Sequence, residues 1–373
     1  MRILYEDTMP FADALFPKLG DCQVFNHQTI TAQDVADADV LLVRSTTRVN
    51  EALLHQAKHL QYVATATAGT NHMDINYLQE RGIPWGSAAG CNAVAVAEYV
   101  ISVLLVMAQR QQWDLSSRSV GIIGAGHVGT ALSSKLDALG IQYRLCDPPL
   151  QAAGDPRPFC HLDAALDCDI VTLHVPLVTA GPHPTEHLID GQRLRAMGPE
   201  QLLINACRGE VMDNAAALAC KQRGDGPLLV MDVWENEPDI LWPLVQHTEL
   251  ATAHIAGHTL EGKARGTTLL YQQLAQRLGR PVEDPLSTLL PVAQPQKLEL
   301  ESALQGMQAI TALVHAVYDV RQDDRAFRTQ VQCAEDFIYS RKHYAIRREF
   351  SAHRINAGNC ALTQALYGLG FAC

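Results

Sequence analysis

A chain of 373 residues, 47% hydrophobic and 18% charged, is long and apolar enough for two or three domains with their own cores. That composition excludes disordered, collagen-like and disulfide-scaffold classes. Its 29 lysines and arginines against 40 aspartates and glutamates leave a net charge of −11, which repels phosphate backbones and anionic surfaces. Neither nucleic acid nor membrane is an expected partner, because the basic pair Arg347-Arg348 is too short to act as a patch.

The amino terminus, Met1-Arg-Ile-Leu-Tyr-Glu-Asp, is charged from the start and lacks the apolar core of a signal peptide, so a cytoplasmic location is expected. Apolar runs at 2–6, 38–44 and 60–65 predict the strands of a small α/β unit. The stretch from Ala93 to Ala108 carries Glu98 and falls short of the roughly 20 residues a membrane helix needs, which makes it a buried helix. Ser119-Val-Gly-Ile-Ile then runs into Gly124-Ala-Gly126-His127-Val128-Gly129 and a helical stretch from Thr130 to Leu139, the start of a second α/β unit. Further runs at 143–146, 170–175, 202–205, 228–233 and 250–253 alternate with helical stretches, the pattern of a Rossmann-type doubly wound parallel sheet. Residues 281–295 are proline-rich and read as a linker. Beyond them a helical pattern from Leu298 to Val320 predicts a third, smaller domain. The ten cysteines are scattered, with no spacing for a metal knuckle or redox pair, so they are expected as small buried hydrophobes in a reducing compartment, and no metal is expected.

The glycine turn gains meaning from its context. A strand precedes it, a helix follows, and Asp147 ends the next strand 18 residues after Gly129. Such a turn lays a pyrophosphate on the helix amino terminus, and an acidic residue there accepts from a ribose 2′-hydroxyl while repelling a 2′-phosphate. The expected cofactor is therefore NAD.

Open parallel sheets bind ligands at the carboxyl ends of their strands. After three successive strands come Arg208, then Asp232 and Glu237, then His254. Oxidising a secondary alcohol requires a base, and histidine is poised for that near neutral pH. His254 is the candidate, with Glu237 to orient it and Arg208 to hold a carboxylate with its fork. His247 and His258 are alternatives for the base, but His247 precedes its strand.

Asn205-Ala-Cys-Arg-Gly, Asp232-Val-Trp-Glu-Asn-Glu-Pro and His254-Ile-Ala-Gly-His-Thr resemble the D-2-hydroxyacid dehydrogenase family. The resemblance implies a split flavodoxin-like substrate domain, 1–93 and 256–285, around an inserted NAD domain, 94–255. A branch of that family with an added carboxy-terminal dimerisation domain is similar at Val43-Arg-Ser45, Ala64-Thr-Ala-Thr67-Ala-Gly-Thr, Gly90-Cys-Asn-Ala, Leu260-Glu-Gly-Lys-Ala-Arg-Gly-Thr and Val314-His-Ala-Val-Tyr-Asp. That implies an α+β domain over 286–373, a homodimer and a small phosphorylated anionic substrate. It also implies catalytic roles for Arg208, Glu237 and His254, and substrate contacts from Ser45, Thr67 and His258. Cofactor contacts implied are Gly124, Gly126, His127, Val128, Gly129, Asp147, Val175, Ala206, Cys207, Arg208, Asp232 and Gly257. His258 stands where the resemblance leads one to expect tyrosine, and Val175 where it leads one to expect threonine. Arg44 is a further candidate for anion contact, and Arg347 and Arg348 are weighed as phosphate ligands across a dimer against a solvated helix face. The alternatives are another D-2-hydroxyacid dehydrogenase, such as one acting on 3-phosphoglycerate, and an NAD-sensing binding protein without turnover.

Overall fold

Short apolar runs buried on both faces become the central strands of two parallel sheets in the computed structural model, which describes residues 1–282, 286–299, 304–356 and 360–372. The chain divides into two compact units, one of Met1–Asn92 with Thr259–Pro291, the other of Ala93–His258 with Val292–Cys373.

In the split unit, β1 (Arg2–Glu6), β2 (Asp21–Phe25), β3 (Val40–Val43), β4 (Tyr62–Thr65) and β5 (Trp85–Ser87) lie in the order β2-β1-β3-β4-β5, all parallel. This is the flavodoxin-like order, whose direction of winding switches between β1 and β3. Strands β1, β3 and β4 fall on the expected apolar runs. The edge strands β2 and β5 had no such signal, because β2 buries only Phe25 fully and β5 reads Trp-Gly-Ser. The helix Leu260–Arg277 returns to this unit late in the chain and buries Leu270, Tyr271 and Leu274. Tyr62 Oη donates to Gln273 Oε1 at 3.0 Å, and Gln273 Nε2 donates to the Ser87 carbonyl at 2.9 Å, pinning the helix to the sheet.

In the other unit, β6 (Ser119–Ile123), β7 (Gln142–Cys146), β8 (Ile170–Leu173), β9 (Leu202–Asn205), β10 (Leu228–Met231) and β11 (Leu250–Ala251) form a parallel sheet in the order β11-β10-β9-β8-β6-β7. Its switch lies between β6 and β8. The helix Ala93–Gln111 is apolar all round, so it must be covered all round. Among the described residues it is the one helix long and apolar enough to cross a membrane, yet 78% of its most apolar window is buried within the protein. The carboxy-terminal segment supplies part of that cover: Leu298, Ile310, Leu313, Val314, Phe350 and Leu366 share one apolar cluster with the helix and with β6. The segment expected as a domain of its own therefore packs with the nucleotide unit. Ala251 N donates to Asp324 Oδ1 at 2.8 Å, so a side chain from the tail helix Val320–Gln330 satisfies the short edge strand β11.

Glu98 sits inside this core, 3.5 Å from Lys135 Nζ, and accepts from Phe350 N at 3.1 Å. Burial pushes its carboxyl up to about 7, against the pull of Lys135.

Two expectations for the tail need correcting. Leu298 does not begin a helix: Lys297–Glu299 is a strand, β12, pairing in parallel with β13 (Arg354–Asn356), and the helix starts at Gly306 and ends at Val317. A three-residue strand pairing with residues more than fifty positions away leaves no local periodicity to read. Nor does Arg347 lie on a solvated helix face. It is 6% exposed in an irregular stretch, its Nη1 donates to the Ala256 carbonyl at 3.1 Å and its Nη2 to the Ala95 carbonyl at 2.6 Å. Its guanidinium also stacks 3.7 Å from the Tyr318 ring centre, which commits it to structure rather than to a phosphate. Residues 283–285 of the expected linker and 300–303 of the expected helix lie outside the described residues. Eight of the cysteines are seen to be free, and five of those are buried.

Candidate active site

The glycine turn joins β6 to the helix His127–Leu139. Gly124 has φ +94, and a Cβ there would lie 2.6–2.7 Å from the backbone of His174 and Val175 at the end of β8, so only glycine lets the two strand ends close up. Gly129 meets the Gly124 carbonyl in the same way, which brings helix against strand. Gly126 is different: its φ of −67 is ordinary, and a Cβ there would meet nothing within 4 Å. Packing does not demand glycine at this exposed helix N-cap, so the open space fits a group that approaches the main chain from outside. The first residues of the helix, His127 and Val128, point their N–H groups the same way.

Asp147 closes β7 beside this turn. Its Oδ2 accepts from Ala125 N at 2.8 Å and its Oδ1 from Leu150 N at 3.1 Å, leaving part of the carboxylate's acceptor capacity for a ribose diol. Sequence reading missed Arg157, whose charge reaches Asp147. That guanidinium is committed to Asp155 through Nε at 2.9 Å and Nη2 at 2.7 Å, and to Thr130 Oγ1 at 2.9 Å. That guanidinium is thus occupied and not free to hold a 2′-phosphate, and the residues present fit NAD.

The catalytic candidates stand where successive strands end. Arg208 follows β9, its backbone carbonyl held by Asn205 Nδ2 at 2.9 Å and its Nη1 donating to the Cys207 carbonyl at 2.6 Å. Ala206 and Cys207 line the same turn. A Cβ on Gly209 would fall 1.9 Å from the Trp234 carbonyl carbon and 2.4 Å from Glu235 N, so the Arg208 turn lies directly against the loop that carries Glu237. Gly209→Ala is expected to cost about 2–3 kcal/mol of stability, since backbone must move on both sides, and to lower turnover with it. Thermal unfolding checks this, and a melting temperature equal to wild type would sink the packing argument.

His254 follows β11, and its Nδ1 lies 2.6 Å from Glu237 Oε2. The other carboxylate oxygen accepts from Trp234 N at 2.8 Å. Burial alone would push the Glu237 carboxyl up, but the hydrogen bond and charge of His254, the charge of Arg341 and the Trp234 N–H outweigh it and hold the carboxyl below its ordinary range. Arg341, on the tail helix Ala334–Lys342, carried no sequence signal for this position.

His254 has φ +56, a left-handed conformation that costs a non-glycine residue about 1–3 kcal/mol. Asp232, 1% exposed at the end of β10, holds it there. Its carbonyl accepts from His254 N at 2.6 Å, its Oδ1 from Thr252 Oγ1 at 2.6 Å and Ile255 N at 2.8 Å, and its Oδ2 from Ala256 N at 3.0 Å. Asp232 thus anchors the histidine loop and has little acceptor capacity left for a cofactor. His258 and Gly257 are half-buried on the same loop, the His258 ring 5.9 Å from the Tyr344 ring. His247 precedes β11, at the opposite end of that strand from His254.

Ser45 and Thr67 belong to the split unit, after β3 and β4. Ser45 is exposed, and Thr67 Oγ1 lies 2.8 Å from Thr65 Oγ1 and donates to the Gly69 carbonyl at 2.9 Å.

Residues 104–256 match the family described as D-isomer specific 2-hydroxyacid dehydrogenase, NAD binding domain, and residues 289–370 match a domain family of unknown function. An erythronate-4-phosphate dehydrogenase of Pseudoalteromonas atlantica is 53% identical over 371 residues, covering 100% of this chain and 99% of that protein. The chain belongs to the erythronate-4-phosphate dehydrogenase family. A second member, from Tolumonas auensis, is 50% identical over 96% of this chain and 95% of its own length. Among solved structures, the D-lactate dehydrogenase of Aquifex aeolicus, complexed with NAD and lactic acid, shares the fold at a TM-score of 0.58. It is 21% identical and covers 74% of this chain and 96% of its own. This chain is an NAD-dependent oxidoreductase of that family.

Proposed function

We propose that this protein oxidises 4-phospho-D-erythronate at C2 to (R)-3-hydroxy-2-oxo-4-phosphooxybutanoate, as a cytoplasmic homodimer serving pyridoxal 5′-phosphate biosynthesis. The observation that carries the reading is the 2.6 Å contact of His254 Nδ1 with Glu237 at a strand end, in a chain matched over its full length by relatives of that name. Because Nδ1 faces a carboxylate, Nδ1 carries the proton and Nε2 is left with the lone pair. His254 Nε2 takes the C2 hydroxyl proton, and Glu237 stabilises the imidazolium that results. Arg208 holds the substrate carboxylate with its fork and polarises the oxygen on C2. When bound, NAD supplies the hydride acceptor. His258, Ser45 and Thr67 contact the substrate in this scheme.

Purified protein given NAD and 4-phospho-D-erythronate, with 3-phosphoglycerate as control and a 2-oxo acid present to accept from slowly released NADH, tests the reading. Preferential turnover of the erythronate ester is expected. Turnover of the control instead would transfer the enzyme to another D-2-hydroxy acid, and silence with both despite NAD binding would favour a sensor.

A further inference from the structure

Two cations of the split unit, Arg44 and Lys263, make no salt bridge among the described residues. Arg44 follows β3 at the point where the sheet's winding switches from β1 to β3, the position at which open α/β sheets take ligands. One guanidinium nitrogen donates to the Thr8 carbonyl at 3.0 Å, and its backbone N–H goes to Glu6 Oε2 at 2.7 Å. Glu6, the nearby carboxylate, is 0% exposed and also accepts from the hydroxyls of Thr8, Thr46 and Thr47. Its lone pairs are spent on backbone and hydroxyls, so it makes no salt bridge to the guanidinium among the described residues.

Lys263 comes from 219 positions further along the chain. It lies in the first turn of the helix Leu260–Arg277, whose N-cap Thr259 accepts from Gly262 N at 3.0 Å. A Cβ on Gly266 would fall 2.3 Å from the Ala66 carbonyl, so the helix touches the backbone just past β4 at that residue. Lys263 is three residues earlier, on the same face and one turn nearer the helix amino end, which carries it beyond the carboxyl edge of the sheet toward Arg44. Its Nζ makes no hydrogen bond or ion pair among the described residues. Burial and the charge of Arg44 both push its ammonium down.

A lysine in a first helical turn opposes the helix dipole, and a second cation close by adds repulsion. A chain with 40 acidic residues has no shortage of carboxylates, yet among the described residues none forms a salt bridge with Lys263 or Arg44: Glu6 acts on Arg44 through its charge, and Glu261 shares the first turn of the helix. We propose that Lys263 and Arg44, with the helix amino end and the exposed hydroxyl of Ser45, form an anion subsite that takes the phosphate of a phosphate monoester substrate. The guanidinium offers a fork, the ammonium a point charge, and the dianion cancels both. The assignment of that phosphate to the erythronate ester rests on the functional reading above.

The test pairs binding with kinetics in wild type, Lys263→Met and Lys263→Arg. Inorganic phosphate is expected to raise the melting temperature of wild type and Lys263→Arg but not of Lys263→Met. Without phosphate, Lys263→Met should melt at or above wild type because the repulsion is gone. In turnover of 4-phospho-D-erythronate, Lys263→Met should lose roughly 30- to 100-fold in kcat/KM, carried by KM, with kcat little changed. Equal phosphate shifts in wild type and Lys263→Met, or an unaltered KM, would overturn the subsite. If wild type does not turn over the ester but the phosphate shift still depends on Lys263, the subsite stands and the substrate assignment falls.

Discussion

Replacing His254 by alanine is expected to lower kcat by roughly 10²- to 10⁴-fold at neutral pH while NAD affinity stays close to wild type. The loss is large because no second base stands on Glu237. Among the described residues, the carboxylate that orients the imidazole through Nδ1 at 2.6 Å is otherwise hydrogen-bonded to the Trp234 N–H, and it is held ionised, so it stabilises an imidazolium rather than competing for the proton. The Gly124–Gly129 turn and Asp147 are left unchanged, and NAD binding measured by fluorescence or calorimetry separates lost chemistry from lost cofactor. The backbone at residue 254 is itself strained, with φ +56, and Asp232 holds it through the N–H groups of Ile255 and Ala256. Alanine keeps those bonds, so the variant is expected to fold. Turnover within a few-fold of wild type would instead assign the base to His258.

Arg208→Lys is the second large effect. The substitution keeps the charge and removes the fork, and kcat/KM is expected to fall roughly 10²-fold. Lysine cannot donate two parallel N–H bonds to a carboxylate, nor brace itself on the Cys207 carbonyl as Arg208 Nη1 does at 2.6 Å. The turn stays in place because Asn205 Nδ2 holds the backbone carbonyl of residue 208 and Gly209 packs against Trp234, neither of which involves the guanidinium. Steady-state kinetics with the erythronate ester decide it. An unchanged kcat/KM would refute the bidentate role, and a loss matched by a fall in melting temperature would mark Arg208 as structural.

Much of this site was legible before folding because of one regularity. In a parallel sheet all strands point the same way, so the residue just after each apolar run arrives at the same edge. Arg208, Glu237 and His254 are found by that rule, and so are Gly124 and Asp147. What the rule misses comes from side chains that reach the site sideways. Arg341 acts on Glu237 from a helix about a hundred residues later, Lys263 approaches Arg44 across the split in its unit, and Arg157 stands near Asp147 while bound to Asp155. None of these belongs to a strand end. Asp232 stands at a strand end too, and its carboxylate accepts from Thr252, Ile255 and Ala256 on the loop that holds His254.

By itself the sequence determined the central strands, the buried helix and the nucleotide turn, because each is specified by local chemistry: two-sided burial writes an unbroken apolar run, and a pyrophosphate turn needs glycine at fixed spacing. Only the tertiary structure decided the edge strands β2 and β5, the pairing of β12 with β13, and the packing of the tail with the nucleotide unit. Edge strands bury one face at most, and β12 is held by a partner far along the chain, so neither leaves a periodic trace. The left-handed backbone of His254 was invisible for the same reason: no side-chain type encodes it, and the carboxylate of Asp232 imposes it.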